Sequence, residues 1–193
     1  MALNGGGAER VIASLSSGLS EVKNYDISLV TFDQPKKHSF YPIHPNVKLI
    51  NLGIGNSLEK TTIFESVRRI YCFRKLIKEL EPDVIIGFNS SSYFLLWISL
   101  LGIDIPIISS EHSSYEHFQD KYLQKFALSF ANYFTEKITV LSDITLRTFP
   151  KHLQKKMIIM PNLIIKNEGK RADIRTSDSN IIFEIVSAVD SPT

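Results

Sequence analysis

Apolar and polar positions along the chain follow two alternating patterns. Short runs that are almost entirely apolar predict β-strands over residues 25–32, 47–52, 83–88, 106–110, 137–141, 156–160 and 181–186. Between these runs, apolar residues recur every three to four positions, and this period predicts helices over residues 8–23, 61–80, 93–101, 117–134 and 143–149. Strands that are apolar throughout and alternate with helices are typical of a parallel sheet covered on both faces. The sequence therefore predicts an α/β fold with a doubly wound, mostly parallel sheet.

The composition changes towards the C-terminus and divides the chain into three predicted parts. Residues 1–163 carry the alternating pattern and form the predicted domain, whose first strand is cut short to residues 1–4. Residues 164–180 are polar and charged, as is usual for a linker. Residues 181–193 contain one further strand pattern with no helix after it. We expect this strand to begin a second, missing domain and to lack a partner in the first sheet.

The overall composition is that of an ordinary globular protein, with 44% hydrophobic and 22% charged residues. A formal net charge of +2 argues against a nucleic-acid-binding protein, which normally carries a larger basic excess. The single cysteine cannot form an internal disulfide, and the most apolar stretch, residues 93–103, is shorter than the ~20 residues of a membrane-spanning helix. These features indicate a cytoplasmic protein. No cluster of metal ligands stands out in the sequence, so we expect no metal cofactor.

Gly5, Gly6 and Gly7 lead directly into the first predicted helix. Glycines allow the backbone to approach an anionic group closely, and the free N–H groups at a helix N-terminus favour negative charge. The spacing differs from the phosphate-binding pattern G-x-x-x-x-G-K-[ST], and Arg10 occupies the third glycine position of the dinucleotide pattern G-x-G-x-x-G. Asp33 follows the next strand, where an acid that binds ribose would lie, so a nicotinamide-dependent oxidoreductase stays open as an alternative.

Several segments, in this order, resemble those of one enzyme family. Residues 5–12, GGGAERVI, resemble the GGAERV segment that opens many members of glycosyltransferase family 4, the retaining transferases with the GT-B architecture. Residues 82–86, PDVII, are similar to the family's PDVI strand, and residues 106–112, PIISSEH, to the strand that delivers a histidine to the interdomain cleft. Residues 139–142 and 160–164 are similar to the V-S and PN-x-I segments that close the N-terminal domain. The resemblance implies a Rossmann-like domain that forms the N-terminal, acceptor-side half of a GT-B fold.

The resemblance also implies a function and a set of site residues. It implies transfer of a hexose-type sugar from a nucleotide diphosphate sugar to a glycan or lipid-linked saccharide acceptor, as in surface polysaccharide biosynthesis, with no cofactor besides the donor substrate. The backbone of Gly5, Gly6 and Gly7 would contact the donor diphosphate, and His112 would be the catalytic histidine near the transferred sugar. Further candidate cleft residues lie at the start of a helix or the end of a strand: Glu9, Asn89 and Glu111.

One feature of the family is absent from the sequence. The second domain of the family carries two glutamates separated by seven residues, which hold the donor, and no glutamate of this chain has another eight positions later. We therefore expect the isolated chain to be incomplete and inactive without a C-terminal, donor-binding domain. A non-catalytic protein, either truncated or completed by a separate partner subunit, stays open as a further alternative.

The predicted helix over residues 61–80 carries five basic residues around an apolar face: Arg68, Arg69, Arg74, Lys75 and Lys78. A solvated face on a core helix would account for them. Basic residues beside an apolar face would also be attracted to anionic lipid headgroups. A peripheral contact with the inner face of the membrane is therefore an additional expectation.

Overall fold

The computed structural model describes residues 7–32, 40–54, 62–88, 90–118, 121–162 and 179–185, with the backbone alone for residues 90–92, 123 and 179–185. The strands are β1 (Tyr25–Thr31), β2 (Lys48–Asn51), β3 (Val84–Phe88), β4 (Ile107–Glu111), β5 (Lys137–Val140), β6 (Met157–Ile159) and β7 (Ser179–Ile185). The helices are α1 (Gly7–Ser20), α2 (Ile63–Leu80), α3 (Ser90–Leu100), α4 (Tyr122–Phe134), α5 (Asp143–Thr148) and α6 (Lys151–Gln154), with a 3₁₀ turn at Tyr115–Phe118.

The strands form one sheet in the order β2-β1-β7-β3-β4-β5-β6, and all neighbouring pairs in it are parallel. From β3 to β6 the sheet grows in chain order towards one edge, whereas β1 and β2 grow towards the other edge. In sheets of this kind, ligands bind beyond the carboxyl ends of the strands, near the point where the strand order reverses. The fold is thus the predicted α/β, Rossmann-like one with a parallel sheet.

Helices cover both faces of the sheet, as the side chains of β1 show. Ile27 and Leu29 are buried in a cluster with Ile12 of α1. Val30, one position further along, is buried on the opposite face with Phe73 of α2. This alternation follows from the two-residue period of a strand, and helices on both faces explain why β1 carries buried apolar residues on both sides.

The ends of α2 are set by local sequence. The Thr62 side chain accepts a hydrogen bond from the Glu65 backbone N–H, while the Glu65 side chain accepts one from the Thr62 backbone, which completes a capping box. At the other end, Glu81 adopts a left-handed conformation with φ 44°, and its N–H donates to the Ile77 carbonyl. Pro82 follows and cannot continue a helix. The predicted helix over residues 61–80 is therefore confirmed to within two residues.

Two predicted helices differ in detail from the structure. The helix predicted over residues 117–134 is divided into a 3₁₀ turn, Tyr115–Phe118, and α4, which begins at Tyr122. The helix predicted over residues 143–149 is followed by an unpredicted short helix, α6. Phe149 lies between α5 and α6 in an extended conformation, φ −82° and ψ 152°. Pro150 accounts for this break, because proline excludes the helical conformation from the residue before it.

The expectation that the strand near the C-terminus lacks a partner in this sheet is wrong. β7 lies in the centre of the sheet, paired in parallel with β1 from Ser179 to Ile185 and with β3 from Ile181 to Ile185. The physical reason is the demand of the backbone: without β7, β1 and β3 would each present a row of unpaired N–H and C=O groups. Residues 181–185 therefore lie in the same sheet as β1 and β3, and the division of the chain into domains stays a prediction. The linker predicted at 164–180 lies almost wholly outside the described residues, as do residues 1–4, and stays a prediction.

Candidate functional site

The carboxyl ends of β3, β4 and β5 bring several side chains of the predicted site together. Phe88 is the last residue of β3, Glu111 is the last residue of β4, and His112 follows Glu111 directly. Because all the strands are parallel, these ends meet at one edge of the sheet. His112 thus lies where ligands bind in sheets of this type.

Two contacts hold the ring of His112. The imidazole stacks against the buried ring of Phe88, with centroids 5.8 Å apart and an interplanar angle of 25°. Its Nε2 atom lies 3.1 Å from the Ser110 hydroxyl oxygen. Burial lowers the pKa of the His112 imidazole below its usual value, since desolvation disfavours the charged form. The ring is therefore neutral at pH 7, and it can act there as a hydrogen-bond donor or acceptor.

Ser110 is itself held by the neighbouring strand. Ser110 of β4 and Thr139 of β5 are direct partners in the parallel register, and both side chains are buried. The Thr139 hydroxyl donates to the Ser110 hydroxyl oxygen over 3.0 Å. The two hydroxyls and the His112 ring form one chain of contacts that begins in the sheet and ends at its edge.

Glu111 is buried at the end of β4 and supports the loop that carries His112. Its side chain is 1% exposed, and its Oε1 atom accepts hydrogen bonds from the backbone N–H groups of His112 at 3.0 Å and Ser113 at 3.1 Å. The Tyr93 hydroxyl donates to the Oε2 atom over 3.4 Å. Burial, and after it the charge of Glu111, raises the pKa of Tyr93 well above its ordinary value, so the phenol keeps its proton. This geometry makes Glu111 an anchor for the backbone of His112.

The start of α1 lies at the same edge of the sheet. α1 packs on β1 and is joined to it by only four residues, so the helix runs antiparallel to the strand and begins at the carboxyl edge. Gly7 is the first residue of α1, and a side chain added there would meet no atom within 4 Å in the described part of the chain. Glu9 is half-buried in the first turn. The prediction that His112 and the glycine turn share the carboxyl edge thus holds for Gly7, whereas Gly5, Gly6 and Asn89 lie outside the described residues.

Four of the residues around His112 were not predicted from the sequence: Phe88, Tyr93, Ser110 and Thr139. The strand period offered a signal for one of them, Ser110. Because alternate residues of a strand share a face, Ser110 lies on the opposite face of β4 from Glu111 and therefore cannot join Glu111 beneath the loop. The partnership with Thr139 depends on the register of β4 against β5, which no local pattern reveals.

Comparison with known proteins identifies the family. The profile of glycosyltransferase family 4 matches residues 5–165, a stretch that includes the glycine turn, α1 and the whole site around His112. The chain belongs to glycosyltransferase family 4. This membership decides against the nicotinamide-dependent oxidoreductase that the glycine turn alone left open.

Part of the chain is also similar to a curated enzyme of known activity. The chain is 27% identical over 145 residues to the GalNAc-α-(1→4)-GalNAc-α-(1→3)-diNAcBac-PP-undecaprenol α-1,4-N-acetyl-D-galactosaminyltransferase of Campylobacter jejuni subsp. jejuni serotype O:2. The aligned region covers 73% of this chain and 38% of that enzyme. This family-4 chain therefore matches well under half of the relative's length.

The family-4 site contains polar groups that can bind a ligand. Within the residues that the structure describes, no group of three or more histidine, cysteine, aspartate or glutamate side chains is placed to hold a metal ion. Pro161 and Asn162, which belong to the segment resembling PN-x-I, follow β6 and are exposed close to the end of that strand. Chemically, the edge offers a neutral imidazole and the N-terminus of a 14-residue helix.

Proposed function

We propose that the complete protein is a retaining glycosyltransferase that moves a sugar from a nucleotide diphosphate sugar to a hydroxyl of a glycan or lipid-linked acceptor. Family membership supports this reaction class. The name of the Campylobacter jejuni relative describes a sugar transferase acting on a saccharide linked through a diphosphate to undecaprenol, which supports an acceptor of that kind. Surface polysaccharide or lipid-linked glycan synthesis is the process in which such a reaction takes part.

The observation that carries the proposal is the placement of a neutral His112 at the same sheet edge as the start of α1. In the proposed reaction, the N–H groups and dipole of α1 face the departing diphosphate, with the preceding glycines allowing close approach. His112 supplies a hydrogen bond to the transferred sugar without adding a full positive charge. Stabilisation of this kind is electrostatic, so the proposal requires no cofactor other than the donor itself.

A second, C-terminal domain completes the proposed enzyme. The aligned region accounts for 38% of the relative, and the pair of glutamates that holds the donor in the resembled family has no counterpart in this chain. Bringing both reactants into one geometry can contribute ~7–11 kcal/mol to catalysis, and one wall of a cleft cannot do so. The isolated chain is therefore proposed to bind donor weakly and to transfer no sugar.

The exposed face of α2 supports a peripheral contact with an anionic membrane surface. Ile63, Phe64 and Tyr71 are 86%, 78% and 69% exposed, respectively. At 100° per residue, they share an arc of about 140° with the exposed basic residues of the same helix. These basic residues are Arg68, Lys75 and Lys78.

Two of the five basic residues on α2 have structural roles instead. The Arg69 side chain donates to the Ile54 carbonyl at 3.1 Å, and an Arg74 nitrogen donates to the Ser99 and Leu101 carbonyls at 2.8 Å each. The membrane contact would therefore use the other three, each contributing ~1 kcal/mol near an anionic surface. Among the described helices, none combines the length and apolarity that crossing a membrane requires. A peripheral position at the inner face of the membrane is the proposed location.

Sugar transfer in a completed enzyme tests the proposal. The chain would be joined to the unaligned, C-terminal part of the Campylobacter jejuni relative and incubated with labelled nucleotide diphosphate sugars and an undecaprenol-linked saccharide. Transfer should depend on the added domain and should fall roughly 100-fold in His112→Gln, the loss typical of removing one donor that stabilises a transition state. Glu79→Gln, an exposed change on α2, is the matched control. Transfer by the isolated chain would contradict the need for a second domain.

A further inference from the structure

The contacts of Ser110 with His112 and Thr139 bear on which nitrogen of the histidine ring carries the proton. A neutral imidazole has one protonated nitrogen, which donates, and one bare nitrogen, which accepts. The partner of one nitrogen therefore determines what the other can offer to a ligand. In the described part of the chain, the ring of His112 makes one side-chain hydrogen bond, between Nε2 and the Ser110 hydroxyl over 3.1 Å.

The direction of that hydrogen bond follows from the contact behind it. The Thr139 hydroxyl donates to the Ser110 oxygen over 3.0 Å, so the hydrogen of Ser110 is free to go to another acceptor. Nε2 of His112 lies within hydrogen-bonding distance of the Ser110 oxygen and can accept it. Ser110 and Thr139 are both buried, which keeps bulk water from competing for either hydroxyl.

We infer that Ser110 and Thr139 are positioning residues that hold His112 as the tautomer protonated at Nδ1, so that Nδ1–H is the donor offered to the ligand of this site. The identity of that ligand, a nucleotide-linked sugar, rests on the proposed function. The tautomer itself does not rest on it. Histidine free in water prefers the proton on Nε2, so this arrangement reverses the intrinsic preference of the ring.

The rest of the site is built to keep this orientation. Phe88 stacks on one side of the ring and opposes its rotation. Glu111 accepts the backbone N–H of His112 from below, which fixes the point from which the side chain extends. Ser110 and Thr139 face each other in register on adjacent strands, so their separation is set by the sheet and not by a loop. The lowered pKa of His112 agrees with a ring that stays neutral.

Nitrogen NMR of the chain labelled with ¹⁵N-histidine measures the tautomer without any substrate. Long-range ¹H–¹⁵N correlation spectra at pH 7.5 distinguish the two tautomers, and the loss of one set of signals in His112→Gln assigns them. The wild-type ring should be protonated mainly at Nδ1. In Ser110→Ala the major form should change to Nε2–H, Thr139→Val should give a mixture, and Ser110→Thr should restore Nδ1–H.

The matched control is Ser129→Ala, which removes a hydroxyl that donates to the Lys125 carbonyl within α4 and should leave the His112 signals unchanged. A wild-type ring protonated at Nε2, or an unchanged tautomer in Ser110→Ala, would overturn the inference whatever the sugar-transfer assays show. If Ser110→Ala does not fold, as judged by its amide spectrum, Thr139→Val and Ser110→Thr decide the question.

In the completed enzyme, Ser110→Ala should lower kcat/KM about tenfold and Ser110→Thr should recover most of it. Inactivity of the completed wild-type enzyme would count against the proposed function and leave the tautomer result intact.

Discussion

The surroundings of His112 and the outer face of α2 both combine aromatic and ionisable side chains, but they do so in opposite ways. Around His112 the ring stacks on a buried phenylalanine, and its polar contacts come from buried hydroxyls of the sheet. On α2, Phe64 and Tyr71 face solvent beside basic side chains that are also exposed. The first region fixes one geometry, and the second presents a surface that many orientations of a partner would satisfy.

This difference shows what each region can contribute. A buried, hydrogen-bonded group has a defined position and a shifted pKa, both of which catalysis needs. An exposed apolar and basic face adds affinity for an extended anionic surface without specifying a bond. Changes around His112 should therefore alter stability, protonation and transfer, whereas changes on α2 should alter attachment alone.

The largest expected effect is the loss of stability on disrupting the sheet that supports both regions. Ile182→Pro deletes a backbone donor in the central strand β7, which pairs with β1 on one side and β3 on the other. Proline in the middle of a sheet removes a ladder hydrogen bond and leaves the partner carbonyl unsatisfied, which costs ~1–3 kcal/mol for that group alone, a large part of the stability of a typical domain. Urea denaturation followed by circular dichroism should show a severely destabilised or unfolded chain. Asp190→Pro, beyond the end of the strand, is the control, and equal stability of the two variants would contradict the central position of β7.

The next largest effect is a difference in the free energy of unfolding between changes near His112 and changes on α2. Glu111→Ala removes the acceptor for the backbone N–H groups of His112 and Ser113 and for the Tyr93 hydroxyl. Because an unsatisfied buried group costs ~1–3 kcal/mol, the free energy of unfolding should fall by about 3 kcal/mol. Glu111→Gln keeps one oxygen for the two backbone N–H groups but loses the acceptor for the Tyr93 hydroxyl, so it should cost about 1 kcal/mol. The exposed Glu79→Ala on α2 should change stability by less than ~0.5 kcal/mol. Similar losses in Glu111→Ala and Glu79→Ala would remove the distinction between the regions.

The pH dependence of stability gives a smaller effect that belongs to His112 alone. Burial lowers the pKa of His112 in the folded chain, so between that value and the usual one of about 6.5 the unfolded chain binds more protons. The contribution of the neutral ring is fully present above pH 6.5 and is lost as the pH falls through this window. Each unit by which the pKa is lowered is worth ~1.4 kcal/mol. Unfolding free energies at pH 5 and pH 8 should therefore differ more in the wild type than in His112→Gln, and an equal difference would contradict the burial of the ring.

The smallest effect on stability is expected on α2. Replacing Phe64 and Tyr71 by serine removes exposed apolar surface, so the free energy of unfolding should change by less than ~0.5 kcal/mol per residue. Sedimentation with vesicles that contain anionic lipid should nevertheless fall several-fold, and Arg68→Glu should reduce it further. Neutral vesicles are the control for the electrostatic part. Unchanged sedimentation in all variants would show that this face does not attach the protein to membranes.

Much of the fold could be predicted because its signals are local. Apolar runs marked the strands, and the three-to-four-residue period marked α2, whose predicted bounds agree with the structure to within two residues. The place of β7 could not be predicted this way, since parallel pairing joins residues such as Tyr25 and Ser179 that lie far apart in sequence. Its apolar run was recognised as a strand, but chain order suggested another domain.

The candidate site was predictable to a similar degree. The position of His112 after an apolar strand placed it at the carboxyl edge, and the structure confirms that position. The inward direction of Glu111 and the pairing of Ser110 with Thr139 depend on the sheet register and on which face the helices cover. The roles of His112 and of the glycine turn in sugar transfer stay predictions.

Sugar transfer by the chain with and without a C-terminal domain tests the central claim most directly. The isolated chain should give no transfer from any nucleotide diphosphate sugar to an undecaprenol-linked saccharide. The same chain completed by the C-terminal part of the Campylobacter jejuni relative should be active, and His112→Gln should lower that activity roughly 100-fold while Glu79→Gln leaves it unchanged. Robust transfer by the isolated chain, or equal activity of the completed wild type and its His112→Gln variant, would contradict the account.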